Sequence, residues 1–156
     1  VVAKESLGYS LNLYGGFPLY AASTLKNYDL SAVAGVSIGT PFGFNMGPVF
    51  AKIGIEVLNY EFTSQQNSRV MGGMALLGGI NTGFSFKGYS LSATLTSGLF
   101  ADGTGFIIGG NFDIPVSSKI PVTVRGSMRS NLVQKPDDVG GYTGWIGGGL
   151  SLGYNF

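Results

Sequence analysis

Five charged side chains stand out because each sits at an alternate position within a stretch that is otherwise apolar or built of small residues: Lys52, Glu56, Asp113, Arg125 and Arg129. Glu56 and Asp113 are the two carboxylates of the set, and a pair of carboxylates can divide acid and base work between them. Lys52, Arg125 and Arg129 bring opposite charge in the same pattern, so mutual neutralisation in a confined space accounts for all five without a reaction. The chain has neither His nor Cys, which removes the usual nucleophile–base arrangements and any thiolate metal site. The glycine clusters Gly78–Gly79 and Gly147–Gly149 lie inside extended runs and are read as close packing rather than as phosphate cradles. No catalytic residue, cofactor or metal ligand is expected.

The elements that must hold these charges follow from composition and periodicity. At 156 residues the chain suits a single domain, residues 1–156. Charged residues make up 11% of it, against about 25% in ordinary soluble domains. Gly contributes 27 residues, more than twice the usual share of about 7%. A water-facing surface is hard to assemble from such a set. The net charge of +1 carries no basic field, so no nucleic-acid partner is expected. The absence of Cys excludes a disulfide framework without fixing a compartment. Two uncharged stretches, Leu30–Ala51 and Val70–Phe86, are long enough to raise helical membrane spans, but TPFGFNMGP at Thr40–Pro48 would break the first, and both alternate in residue type.

Alternation with period two recurs along the chain and predicts strands. The first is Ser6–Leu13, followed by a long loop, Tyr14–Tyr28; the second is Leu30–Gly39, ending in a turn at Pro41–Pro48. The third, Val49–Glu61, sets Val49, Ala51, Ile53, Ile55 and Val57 against Lys52, Gly54 and Glu56. A polar loop, Thr63–Arg69, leads to the fourth, Val70–Asn81, and Thr82–Gly88 turns the chain into the fifth, Tyr89–Leu99, the cleanest alternation of the interior. ADGTG at Ala101–Gly105 is a hairpin signal. The sixth strand is Phe106–Ile114, PVSSKIP reverses the chain at Pro115–Pro121, and the seventh carries Thr123, Arg125, Ser127 and Arg129 on one face. Asn131–Gly141 is the final loop.

The last sixteen residues, Gly141 to Phe156 (GYTGWIGGGLSLGYNF), make the eighth strand, with Tyr142, Ile146, Leu150, Leu152, Tyr154 and Phe156 in one register and Trp145, Gly147, Gly149, Ser151 and Gly153 in the other. A terminal aromatic strand is a poor sheet edge in water, whereas in a closed barrel it pairs with the first strand and no edge remains. The ending LSLGYNF resembles the C-terminal insertion signal of small eight-stranded outer-membrane β-barrel proteins of Gram-negative bacteria, with Leu150, Leu152, Tyr154 and Phe156 at the alternating signal positions and Ser151 where a glycine is usual. The resemblance implies an all-β, closed, antiparallel, up-and-down transmembrane β-barrel of eight strands in the bacterial outer membrane. It also implies both termini on the periplasmic side, outer-membrane lipid and lipopolysaccharide as surroundings, the barrel assembly machinery as partner during insertion, and docking onto a larger outer-membrane complex as one role for the loops. VVAKESLGYS has no apolar signal-peptide core, so this reading requires a mature chain. The small barrel enzymes that act on lipid A are similar in length but use His.

Periodicity alone does not say which face is outside, and a soluble lipocalin-like barrel would turn the apolar face inward. The Gly, Ser and Thr of the other face suit the cramped interior of an eight-stranded barrel. Aromatics near strand ends, among them Tyr28, Tyr60, Phe62, Tyr89, Phe106, Tyr142, Tyr154 and Phe156, suit interfacial girdles. Within that lumen Glu56 is expected to meet Arg125, with Lys52 and Asp113 nearer the periplasmic end. The functional expectation is a non-enzymatic membrane component, structural, adhesive or complex-associated, acting through its loops; the alternative is a narrow pore. If Phe156 belongs to an insertion signal, Phe156→Asp impairs membrane assembly more than Asn155→Asp, read as loss of the heat-modifiable folded band on a gel; equal impairment at both positions would remove the signal reading.

Overall fold

The computed structural model describes residues 8–68, 70–134 and 141–156. It contains β1 (Ser10–Ala21), the two-residue β2 (Tyr28–Asp29), β3 (Val33–Met46), β4 (Val49–Ser64), β5 (Val70–Phe86), β6 (Tyr89–Phe100), β7 (Gly103–Pro115), β8 (Val122–Gln134) and β9 (Tyr142–Asn155). All except β2 form one antiparallel sheet that closes on itself, each strand pairing with its neighbours in sequence and β9 with β1. β2 adds two rungs to the rim of β4. The fold is therefore an all-β, eight-stranded, up-and-down barrel, and the alternating apolar sequence is what lets every strand offer one face to each side of a single curved wall.

The ladders fix its geometry. From Asn155 the rungs run through Ser10, Gly39, Gly54, Gly79, Thr96, Ile107 and Asn131 and return to β9 at Trp145, ten residues from the start. With about 3.3 Å per residue and 4.8 Å between strands, a shear of ten over eight strands gives a tilt of about 40° and a backbone radius of about 8 Å. An interior of that width is filled by side chains of ordinary size.

The tilt keeps strands running well past the expected turns. β1 continues through Tyr14–Ala21, where a loop was expected, because beyond Gly16, its last rung to β3, it still pairs with β9. Pro18 is tolerated there: the Phe17 carbonyl points towards β9, so the N–H that proline lacks would have faced the side β3 has already left. A bulge at Leu19 follows. β3 likewise carries the expected Pro41–Pro48 turn inside it, absorbing Pro41 in an irregularity between Gly39 and Gly43, so that the turn itself shrinks to Gly47 and Pro48. Thr82–Phe86 extends β5, and the turn is Lys87–Gly88, both at positive φ (50° and 85°), as a two-residue hairpin matched to strand twist requires. Thr63–Ser64 and Asn131–Gln134 are strand rather than loop for the same reason, and of the expected ADGTG turn only Ala101 and Asp102 turn. Ser6 and Leu7 of the expected first strand, Arg69, and residues 135–140 of the expected last loop lie outside the described residues.

The turns at Gly47–Pro48, Lys87–Gly88 and 116–121 mark the lower end of the barrel, where β9 finishes and the Phe156 N–H donates to the Tyr9 carbonyl (2.9 Å). At the upper end a 3₁₀ turn, Ser23–Leu25, folds over the mouth and sends Leu25 into the interior. There it meets the core of the protein: Val33, Leu58, Tyr60, Phe62, Met71, Ala75, Leu77, Phe100, Ile107, Val133 and Trp145, all buried. Tyr60 and Phe62 thus depart from the expected girdle. Because β4 persists to Ser64, they continue the inward parity of Lys52, Gly54 and Glu56. Tyr89, Phe106, Tyr142, Tyr154 and Phe156 are exposed on the outside.

Trp145 packs on Phe62 edge-to-face (centroids 4.9 Å) and on Tyr60 (5.1 Å), which also touches Phe100 (5.9 Å). Trp145→Ala is expected to lower unfolding stability by about 3–5 kcal/mol, and Ile146→Ala, one residue along and outward, by far less; urea unfolding of the refolded barrel in detergent measures both, and matching losses would place the core elsewhere.

Candidate functional site

The interior is stratified. Its upper part is the apolar core, closed from above by Leu25 and braced by Tyr60, whose hydroxyl donates to Asp102 Oδ2 in the β6–β7 turn (2.9 Å). The Thr24 and Thr143 hydroxyls meet at 2.7 Å and tie the 3₁₀ turn to β9. Beneath lies a layer of charge. Arg129 on β8 spans the barrel to Glu56 on β4 through both terminal nitrogens, Nη1 to Oε1 and Nη2 to Oε2. Both residues are buried, and the guanidinium lies 4.2 Å from the centre of the Tyr14 ring, a cation–π contact. Glycine makes room for that ring: a Cβ on Gly149 would come within 2.5 Å of Tyr14 Cε2.

The expected partner of Glu56 was Arg125, and the shear explains why Arg129 takes its place. Round one side of the barrel the rungs from Glu56 pass Ser37, Asn12 and Gly153 to Thr123; round the other they pass Leu77, Gly98 and Gly105 to Val133. On a tilted ladder one path climbs and the other descends, so the point level with Glu56 lies midway, at Met128. Arg129 is an inward neighbour of that point. Arg125 sits lower and pairs with Asp113, its direct rung partner on β7, through Nε to Oδ1 (2.6 Å) and Nη2 to Oδ2 (2.9 Å). Ser90 also donates to Asp113 (3.0 Å).

Below the Arg129–Glu56 layer is a cavity of about 190 Å³ whose lining includes Ser10, Asn12, Lys52, Asn81, Thr94 and Arg125. A chain of polar contacts runs along its wall, from Asn111 Nδ2 to Thr94 Oγ1 (2.8 Å) and from Thr94 Oγ1 to Asn81 Oδ1 (3.2 Å). Lys52 faces this space and forms no ion pair among the described residues. Among those residues no group of three or more His, Cys, Asp or Glu side chains could hold a metal.

The five charged residues picked out by alternation all point inward, in two pairs and one single cation. Leu150, Leu152, Tyr154 and Phe156 all point outward and are exposed, with the last two rings in edge contact at 4.9 Å. Sequence reasoning missed Tyr14, Tyr60 and Phe62 as interior residues. Parity would have found all three, since each continues the inward register of its strand.

No protein-family model and no curated protein sequence matches the chain. Among solved structures it is similar to Neisserial surface protein A, with 15% sequence identity, a TM-score of 0.50, and coverage of 97% of this chain and 98% of that one. At that identity the likeness is one of fold: an eight-stranded closed antiparallel barrel of the kind seen in small outer-membrane proteins.

Removing one member of a buried pair strands the other, at a cost of about 3–5 kcal/mol. Glu56→Gln and Arg129→Gln are each expected to destabilise on that scale, and the double variant by clearly less than the sum. A double-mutant cycle by urea unfolding that gives additive losses would mean the two charges are not coupled.

Proposed function

We propose that the chain is a non-enzymatic integral protein of the bacterial outer membrane, a filled barrel that acts by display of its upper rim, in adhesion, scaffolding or attachment to a larger envelope complex. The observation that carries this is the division of apolar surface. Outside, Leu13, Leu76, Leu91, Leu95, Leu99, Ile108, Leu150 and Leu152 are all exposed on the wall. Exposed charges such as Lys26, Glu61, Lys87 and Lys119 lie in turns or near strand ends. A twelve-residue strand tilted by about 40° rises about 30 Å, enough to carry an apolar band of about 25 Å. Such a band in water would be a large aggregation-prone surface; in lipid it is the favoured one.

Inside, the aromatic core and the Arg129–Glu56 layer together fill the bore, which supports a display role over the narrow-pore alternative. The likeness to a protein named for the surface of its cell points the same way. Lipid, lipopolysaccharide and the assembly machinery are the surroundings and partners that this reading requires.

Two measurements test it. The purified barrel in a planar bilayer is expected to give no conductance steps, and steps that persist across preparations would favour the pore. Trypsin added to intact cells is expected to cut after Lys26 at the upper end and to spare Lys87 and Lys119 at the lower; cleavage after Lys119 from outside would reverse the orientation.

A further inference from the structure

We propose that the lower half of the barrel holds a binding site for a small oxyanion of the phosphate type, with Lys52 as its principal ligand. The inference goes beyond the display role and does not depend on it. It starts from the charge census of the interior. Glu56 is committed to Arg129 and Asp113 to Arg125, each through two hydrogen bonds, so both carboxylates are already neutralised. Lys52 is left as a positive charge facing the cavity, with no ion-pair partner among the described residues.

The position of Lys52 sharpens this. Its rungs run through Asn81, Thr94 and Gly109 to Arg129, and the same shear argument brings the level point on β8 down five residues, to Val124, next to Arg125. Lys52 and Arg125 therefore face each other across the cavity, with Arg129 above them. A group sitting between them meets one uncompensated cation, Lys52, beside two guanidinium groups whose charge Asp113 and Glu56 already balance, and the Glu56 carboxylate shares the lining.

The remaining wall supplies neutral polar groups. Asn12, Asn81, Thr94 and Thr96 line the space; the Thr94 hydroxyl already donates to Asn81 Oδ1, so the donors left are the two amides and the Thr96 hydroxyl. Thr96 is 6% exposed, and its hydroxyl has no hydrogen-bond partner among the described residues, an uncommon state for a buried polar group. An oxyanion accepts hydrogen bonds from ammonium, amide and hydroxyl alike, so one such ligand answers the unpaired charge and the unpaired hydroxyl together. The volume of about 190 Å³ is more than ten times the ~10–15 Å³ that a single water needs, which leaves space for a phosphate with part of its hydration.

The test uses the isotope-labelled full chain refolded in a non-ionic detergent, so that no headgroup phosphate competes, and titrates inorganic phosphate against sodium chloride at matched ionic strength. Phosphate is expected to give saturable amide shifts confined to the strands around Lys52, Asn81, Thr94 and Thr96, and chloride is not. Lys52→Gln is expected to weaken binding about tenfold, the loss of one charge-assisted hydrogen bond. It removes a charge that has no buried partner, so the fold should survive, as heat-modifiable migration will show. Thr96→Val, which leaves all charges in place, is expected to weaken binding by a smaller factor and serves alone if Lys52→Gln does not refold. Shifts that chloride reproduces, shifts that never saturate, or undiminished affinity in the variants would overturn the proposal.

Discussion

A wall of eight strands at a shear of ten encloses a bore that side chains can fill, and every interior feature follows from that width. Across about 16 Å of backbone diameter an arginine and a glutamate can meet end to end, as Arg129 and Glu56 do. Two or three aromatic rings in edge contact suffice to close the bore, as Tyr60, Phe62 and Trp145 do. Large side chains cannot occupy every inward position, so the rest are Gly, Ser, Thr and Asn. The glycine content that sets this chain apart in composition is in part a consequence of radius: Gly149 is small because Tyr14 lies over it.

The order of the layers has its own logic. Where the bore holds a dry aromatic core, the backbone is already satisfied by ladders and the rings bring only apolar surface. The buried ion pair lies directly beneath it, held in a fixed arrangement by bidentate geometry and by the ring of Tyr14. Desolvating two such groups is costly and offsets much of their mutual attraction, so what the pair adds is felt mainly when one partner is removed. Lower still, the interior becomes polar and roomier, and the second pair, Arg125 with Asp113, is more open than the first.

Much of this was legible in the sequence because a strand's two faces are written at odd and even positions. The inward placement of Lys52, Glu56, Asp113, Arg125 and Arg129, the outward placement of Leu150 to Phe156, the number of strands and their antiparallel closure all follow from alternation and the terminal aromatic. Strand ends were less legible. Turn residues such as Pro18, Pro41 and Gly43 were taken to end strands, but in a strongly tilted sheet a strand outlasts its neighbour on one side, and a proline there gives up no rung. Once the ends were drawn short, Tyr14, Tyr60 and Phe62 looked like loop or girdle residues although their parity already placed them inside. The pairing of Glu56 was out of reach for another reason: it depends on shear, a property of the whole closed ladder that no single strand records.

The stretch of β1 above Gly16 is paired on one side only, with its free backbone turned to where β3 has left. An unpaired strand edge in a membrane wall invites a strand from a neighbouring molecule to zip onto it. Pro18 offers no N–H in that direction, and the bulge at Leu19 throws the next rungs out of step. To a neighbouring molecule in a bilayer this stretch therefore offers the apolar side chains of Phe17, Leu19 and Tyr20, which are exposed on the outside, and not a row of open rungs on which a sheet could be continued.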